Sequence, residues 1–413
     1  LWRRAMAMKP MKAFISLEEG MRILLECVAP IARTERVGLL DATGRVLAEP
    51  FVAGLDVPPF SRAAMDGYAV VAEDTFGAGN FNPARLSLIE VIHAADIASQ
   101  KVARGTCIQV ATGAPVPAGA DAVVQVEDTE LEGDPGRAGK VMIYKPVYPR
   151  QNVSPQGEDI QAGREVLSPG TRLDPSKIGV LAALGITQVA VFAKPTVAVI
   201  PSGNEIVRPG DPLGPGKIYD INSYTLSALI REVGGAPSLF PIMQDTLEDV
   251  RRTLQEALAC DLTVLSGGSS VGERDVMLEA VESLGEVKFH GIAVKPGKPT
   301  LCGVIQGKLI LGMPGYPTSC LTNGYGLLVP VLRKLARLPE ARAGGIELPL
   351  SRRYTSTIGR HQYLPVRVEH GEVVPVFKES GAITSMADAE GYIEIPANVD
   401  LVEKGEPVRV RFF

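Results

Sequence analysis

The 413 residues are enough for several domains, and a 46% hydrophobic content is sufficient for real cores. A formal net charge of -5 argues against general nucleic-acid binding, and no apolar stretch is long enough to span a bilayer. The 5 cysteines (Cys27, Cys107, Cys260, Cys302, Cys320) are scattered without a C-x-x-C pair, which reads as reduced, mostly buried thiols in a cytosolic protein and not as a zinc or disulfide framework.

The opening residues carry two arginines but no apolar core after them, so they do not form a signal peptide, and residues 1–10 are assigned no function. Ser16 to Ile31 has the pattern of an amphipathic helix. Ser16 and Glu19 make a capping box, and Met21, Leu24, Leu25 and Val28 share a face. From Ala48 to about Lys145 the pattern becomes short β-type runs, such as Leu86–Ile92, Thr106–Ala111 and Ala122–Val126, expected to form a small module inserted into another domain. A Gly-rich turn at Gly157-Glu158-Asp159 leads to a helix with Asp174 as N-cap, Pro175 at its first position and Gly185 at its end.

A clear α/β section opens at Lys194-Pro195. Strands are expected at Thr196–Pro201, Ser238–Met243 and Leu262–Leu265, each followed by a helix, at Ser223–Val233, Thr246–Leu258 and Val276–Leu284. That alternation predicts a largely parallel sheet in three layers. From about Leu338 short β runs return and suggest a compact β-barrel. The expected division is a helical and extended N-terminal linking domain in two segments, 12–60 and 150–193. An inserted mostly-β domain follows at 61–149, a three-layer α/β domain at 194–338 and a C-terminal β-barrel at 339–413.

Three loops of the α/β section form one expected anion-binding surface. They are Ser266-Gly267-Gly268-Ser269-Ser270-Val271-Gly272-Glu273-Arg274-Asp275, then Lys295-Pro296-Gly297-Lys298-Pro299, then Met313-Pro314-Gly315-Tyr316-Pro317-Thr318-Ser319. Each follows an apolar β-type run, and loops at the carboxyl ends of strands are where such sheets bind ligands. Glycines let the backbone approach a ligand, and free N–H groups at helix starts attract anions. The four histidines (His93, His290, His361, His370) show no metal-ligand spacing, and there is no Walker lysine loop, dinucleotide fingerprint or nucleophile elbow.

Motifs along nearly the whole chain resemble one family, the molybdopterin molybdenumtransferases of the MoeA type, which includes the E domain of gephyrin. The match is carried by Asp56-Val57-Pro58-Pro59-Phe60 with Ala64-Met65-Asp66-Gly67-Tyr68-Ala69-Val70, and by Ala111-Thr112-Gly113-Ala114-Pro115-Val116-Pro117. It continues through Gly157-Glu158-Asp159-Ile160, Ser202-Gly203-Asn204-Glu205, Tyr219-Asp220-Ile221-Asn222 and the three loops. The chain departs from the usual pattern at Ser202 and Asn204 of the Thr-Gly-Asp-Glu motif, at Tyr316 of Pro-Gly-Asn-Pro, and at Ala64, where serine is usual. The resemblance implies a homodimer and the last step of molybdenum cofactor synthesis. Adenylylated molybdopterin and molybdate (or tungstate) enter, AMP leaves, and the metal is set into the dithiolene with Mg²⁺ assisting. It also implies a molybdopterin adenylyltransferase as a further partner, and a cytoplasmic location.

Carried over residue by residue, the resemblance assigns Asp66, Glu205, Asp245 and Asp275 as catalytic carboxylates, with Asp245 and Asp275 on the metal. It assigns substrate binding to Thr112, Gly267, Gly268, Ser269, Gly272, Lys295, Lys298, Pro314, Gly315, Pro317, Ser319, Arg360 and Ser380. Plainer readings stand beside these. Asp66 fits a turn aspartate bonding its own backbone, and Thr112 a turn cap. Asp245-Thr246-Leu247-Glu248 reads as a capping box with Asp245 as N-cap. Lys295 and Lys298 also read as ordinary solvated charges, but Pro296, Gly297 and Pro299 frame and hold them, and a dianion such as molybdate is their expected ligand. Two other functions remain open: a nucleotide pyrophosphatase on the same α/β domain, and a non-catalytic molybdopterin-binding scaffold.

Overall fold

The computed structural model describes residues 14–132, 139–267, 276–340 and 344–413. By contact it divides into two units, one of residues 14–36, 44–48 and 190–413, the other of 37–43 and 49–189. Residues 14–36 lie with the first unit, so the expected linking segment 12–60 is shared between the two.

In the first unit the α/β section forms a six-stranded sheet. Its strands are β1 (Thr196–Pro201), β2 (Ala236–Leu239), β3 (Leu262–Ser266), β4 (Glu286–His290), β5 (Leu301–Ile305) and β6 (Lys308–Met313), in the spatial order β2-β1-β3-β6-β5-β4. The first four in that order run parallel, while β5 and β4 add an antiparallel edge. Every residue of β1 after Thr196 is buried, and alternate residues enter different cores. Val197 and Val199 pack with Leu226, Ile230, Leu327 and Val331, whereas Ala198 and Ile200 pack with Val250, Leu254 and Val281. Two apolar faces on one strand require helices on both sides, which gives the three layers.

The helices of this section are α1 (Asn222–Glu232), α2 (Leu247–Ala257), α3 (Val276–Leu284) and α4 (Pro317–Asn323). Helix α4 continues through a π-helical turn, Gly324–Leu328, into a further helical segment, Val329–Leu335. Helix α2 buries Val250, Leu254 and Ala257 on one face, and truncating a fully buried leucine such as Leu254 to alanine costs about 2–5 kcal/mol. The N-terminal helix is shorter than its pattern suggests, Leu17–Glu26, closed by Cys27. Its Ser16 hydroxyl accepts the Glu19 N–H as expected, and Leu24 and Val28 pack into the same core as Val197. The strand expected at Ser238–Met243 ends at Leu239, and Met243 forms an isolated parallel bridge with Ser202.

The C-terminal strands Ile346–Pro349, His361–Glu369, Glu372–Pro375, Gly391–Ile395 and Pro407–Phe412 surround Leu364, Val366, Ile393 and Val410. Their pairings run from 361–369 through 391–395 and 407–412 to 346–349. The Leu350–Val373 bridge then leads to 372–375, which pairs back on 361–369, so the path closes on itself. Val294–Lys295, from the lysine loop, adds to this sheet alongside His361 and Gln362.

The second unit is built on a six-stranded sheet of Gly67–Val70, Ala84–Ile92, Thr106–Val110, Ala122–Gln125, Thr129–Glu132 and Lys140–Ile143. Strand Gly67–Val70 lies between Ala122–Gln125 and Thr106–Val110, with Tyr68 and Val70 in one core and Ala69 in another. Helix Pro175–Ala183 has the predicted cap: the Asp174 carboxylate accepts the Lys177 N–H at 3.1 Å. All five cysteines are free thiols, four of them buried and Cys27 half-buried.

Candidate functional site

The carboxyl ends of β1, β3 and β6 lie side by side because these strands are parallel and in register. The Ser202 N–H donates to the Ser266 carbonyl at 3.0 Å, and the Gly267 N–H to the Met313 carbonyl at 3.4 Å. Gly267 has φ +93°, and a Cβ there would stand 2.4 Å from the Ser202 carbonyl oxygen, so only glycine lets these loops meet so closely. A Cβ on Gly315 would in turn lie 3.5 Å from the Gly267 Cα. Glu205 turns its carboxylate back over Gly203, with oxygens 2.8 and 2.9 Å from where a Cβ would be.

Asp245 departs from the sequence reading. The N-cap of α2 is Thr246, whose hydroxyl accepts the Asp249 N–H at 3.3 Å, while the Asp249 carboxylate reaches back to the Gln244 N–H at 2.8 Å. Asp245 instead accepts a 2.7 Å hydrogen bond from the buried Ser202 hydroxyl. The competition is decided by tertiary structure: β1 delivers a hydroxyl to Asp245, and the helix start takes the next oxygen along the chain. Asp245 is left exposed at the strand edge with one carboxylate oxygen fixed in place.

Two residues that the sequence reading did not select border the same junction. Asn222, buried at the start of α1, donates from Nδ2 to the Gly315 carbonyl at 2.8 Å, while its Oδ1 is buried without a partner among the described residues. The Ser266 hydroxyl at the end of β3 is likewise buried and unpaired among the described residues. Both stand inside sequence motifs of the chain, but only the crossing of three loops shows that their polar atoms are unsatisfied. Asp220 is also buried and accepts the N–H and the hydroxyl of Ser223, fixing the start of α1.

The two lysines of the second loop take separate partners. The Lys295 ammonium donates to the Thr357 hydroxyl at 2.9 Å, and the Lys298 ammonium lies 4.2 Å from the centroid of the Phe14 ring. Pro317 stands in the first turn of α4, with Ser319 buried just beyond it and Pro314 buried before it. The Thr318 N–H donates to the Ser380 carbonyl at 2.9 Å, and its hydroxyl to the Ala382 carbonyl at 2.8 Å. Ser380 thus meets the third loop through its backbone. Arg360 is half-buried and immediately precedes His361, whose strand pairs with Val294–Lys295.

In the second unit the structure brings Asp66 and Thr112 together. The Thr112 N–H donates to the Asp66 carboxylate at 2.7 Å, and residues Ala63 and Ala114 fix the two loops to each other. The aspartate therefore bonds a distant segment and not its own backbone. The Thr112 N–H and then the Thr112 hydroxyl hold the Asp66 carboxyl below the ordinary aspartate value, so it is ionised at neutral pH.

Gly268, Ser269, Gly272 and Asp275 lie outside the described residues. Among the described residues no cluster of three or more metal-ligating side chains occurs, and no helix is long and apolar enough to cross a membrane. Asp245 offers hard oxygen of the kind Mg²⁺ takes, but it offers only one side chain, so a metal held here needs ligands beyond it.

Fold and edge define a three-layer α/β protein with glycine and carboxylate loops gathered at the ends of parallel strands, the edge at which such sheets bind ligands. Three family models match in chain order. The MoeA N-terminal region (domain I and II) covers residues 15–185, the "Probable molybdopterin binding domain" 198–334, and the MoeA C-terminal region (domain IV) 347–413. Molybdopterin molybdenumtransferase 2 of Mycobacterium tuberculosis is 34% identical over 96% of this chain and 98% of its own length. The molybdopterin molybdenumtransferase of Bacillus subtilis is 32% identical over 91% of this chain and 89% of its own. A crystal structure of the molybdopterin biosynthesis MoeA protein of Pyrococcus horikoshii is similar with a TM-score of 0.83 and 42% identity, covering 97% of this chain and 99% of that one. The chain belongs to the MoeA family of molybdopterin molybdenumtransferases.

Proposed function

We propose that this transferase of molybdenum cofactor biosynthesis takes adenylylated molybdopterin and molybdate, or tungstate, hydrolyses the adenylate bond with Mg²⁺ and sets the metal into the dithiolene. The observation that carries the reading is the meeting of Ser202, Asp245, Gly267 and Gly315 at the ends of β1, β3 and β6. Breaking a phosphoric anhydride requires charge on the phosphate oxygens to be neutralised and the attacking oxygen to be positioned. Asp245 is the residue here that would hold Mg²⁺, with Asp275 as the further ligand implied by the family. When bound, the ion would supply Lewis-acid neutralisation of phosphate charge.

The chain's own groups account for the rest of the chemistry. The Ser202 hydroxyl fixes one oxygen of Asp245, a residue that is otherwise exposed. The unpaired Asn222 Oδ1, with its nitrogen held by Gly315, accepts only from a donor, and a pterin ring has several N–H groups. In the second unit Asp66 is a fixed, ionised carboxylate suited to orient water or a substrate hydroxyl. Lys295 and Lys298 supply positive charge for the oxyanion. A homodimer and an adenylyltransferase supplying the substrate complete the reading. The test is to incubate the protein with adenylylated molybdopterin, Mg²⁺ and each oxyanion, and to follow AMP release together with metal insertion. Coverage of the whole chain by family relatives weighs against a pyrophosphatase confined to the α/β domain.

A further inference from the structure

Asn323 ends α4, at the point where the helix widens into the π-helical turn Gly324–Leu328, and it is fully buried. Its Nδ2 donates to the Gly297 carbonyl at 3.0 Å and to the Thr300 hydroxyl at 2.9 Å. The Thr300 hydroxyl gives its own proton to the Gly297 carbonyl at 2.9 Å, so it can only accept from Asn323, and this fixes which way the amide faces. Gly297 has φ +105°, and a Cβ there would lie within 2.5–2.6 Å of Nδ2, Oδ1 and Cγ of Asn323, its three nearest atoms. The glycine between the two lysines is thus seated directly on the amide plane. The Lys298 carbonyl accepts the Ile292 and Thr300 N–H groups at 3.1 and 3.0 Å, so the seat fixes the whole turn. Single π turns within α-helices occur often at functional sites, because the extra residue re-aims the side chains beside it.

We propose that Asn323 is a positioning residue that sets Lys295 and Lys298, coupling the helix that follows the Pro314–Ser319 loop to the lysine loop. It touches neither lysine's ammonium and acts through the backbone of Gly297 and the hydroxyl of Thr300. Among the described residues the buried Oδ1 has no partner, so what the residue contributes is its donor nitrogen and its flat shape. Asn323→Asp keeps that shape but places an acceptor against the Gly297 carbonyl. Gly297→Ala attacks the same contact from the other side, and Gly297→Ala with Asn323→Ala removes the steric conflict while leaving the donation absent.

The kinetic arm of the test rests on the proposed oxyanion role of the lysines; the structural arm does not. Amide hydrogen exchange of residues 292–300 is measured in the full chain for Asn323→Asp and Gly297→Ala, alongside molybdate-dependent insertion and a Lys295→Ala reference. Faster exchange confined to this segment is expected in both variants. The molybdate concentration for half-maximal insertion should rise about 10- to 100-fold, as loss of one hydrogen bond to a charged ligand does, with a smaller change in the limiting rate. If Asn323→Asp does not fold, Gly297→Ala decides. Parental exchange over 292–300 in a folded variant overturns the proposal whatever the kinetics show. Faster exchange with unchanged molybdate dependence in all variants, Lys295→Ala included, retains Asn323 as the loop's seat and removes the oxyanion role of the lysines.

Discussion

Asp245 and Thr246 are adjacent, yet the Ser202 hydroxyl bonds the first and the start of α2 the second, so their losses should separate. Thr246→Ala removes a side-chain cap and is expected to lower stability by about 0.5–2 kcal/mol, read as a fall in melting temperature, with AMP release per folded molecule unchanged. Asp245→Asn keeps size and removes charge. It should melt close to the parent while Mg²⁺-dependent AMP release falls by a factor of about 100 or more. Full turnover in Asp245→Asn would remove the aspartate from the chemistry, and an activity loss in Thr246→Ala would show that the two roles are not separable. Asp66 gives a third expectation. Its pKa is depressed in the fold, so the contribution of the Asp66–Thr112 contact to stability is present above the ordinary aspartate value and is lost as pH falls through the lower, folded value. An NMR titration should place the Asp66 carboxyl below ordinary aspartates, and a midpoint at or above them would contradict the contact with Thr112.

At the scale of elements, much was legible from local pattern. The Ser16 and Asp174 caps, strand Thr196–Pro201 and helix Val276–Leu284 stand as their sequences predict, because capping and strong periodicity are properties of a few neighbouring residues. What failed was decided at a distance. Asp245 outranks Thr246 as a cap on sequence alone, and only the arrival of Ser202 reverses the order. The partners of Lys295 and Lys298 come from Thr357 and Phe14, which no spacing rule links to the loop. Asn222 and Ser266 were visible as motif letters, but their unpaired atoms are a result of packing. The close approach of the strand-end loops gives a further prediction. Gly267→Ala, with φ +93° and the Ser202 carbonyl 2.4 Å from the new Cβ, should push the β3 end away from β1. Both melting temperature and AMP release should fall, whereas Gly44→Ala, also at positive φ but with open space around it, should affect stability alone. Equal losses of activity in the two would show that the contact at Gly267 does not shape the site.

At the scale of the whole molecule, the family relation extends across nearly the full chain, and the three family models follow one another in the order of the described elements. A homodimer is expected in solution, and light scattering at micromolar concentration checks it: a fully active monomer would contradict that part of the reading. On the proposed reading, anhydride hydrolysis and metal insertion are two halves of one reaction on this protein. The direct measurement follows AMP release and molybdenum bound in the dithiolene in one reaction with adenylylated molybdopterin, Mg²⁺ and molybdate. Both should require the protein and rise together, one AMP released for each metal inserted, and Asp245→Asn should lose both. AMP release with no metal incorporated at any molybdate or tungstate concentration, or insertion that proceeds at the parental rate in Asp245→Asn, would contradict that reading.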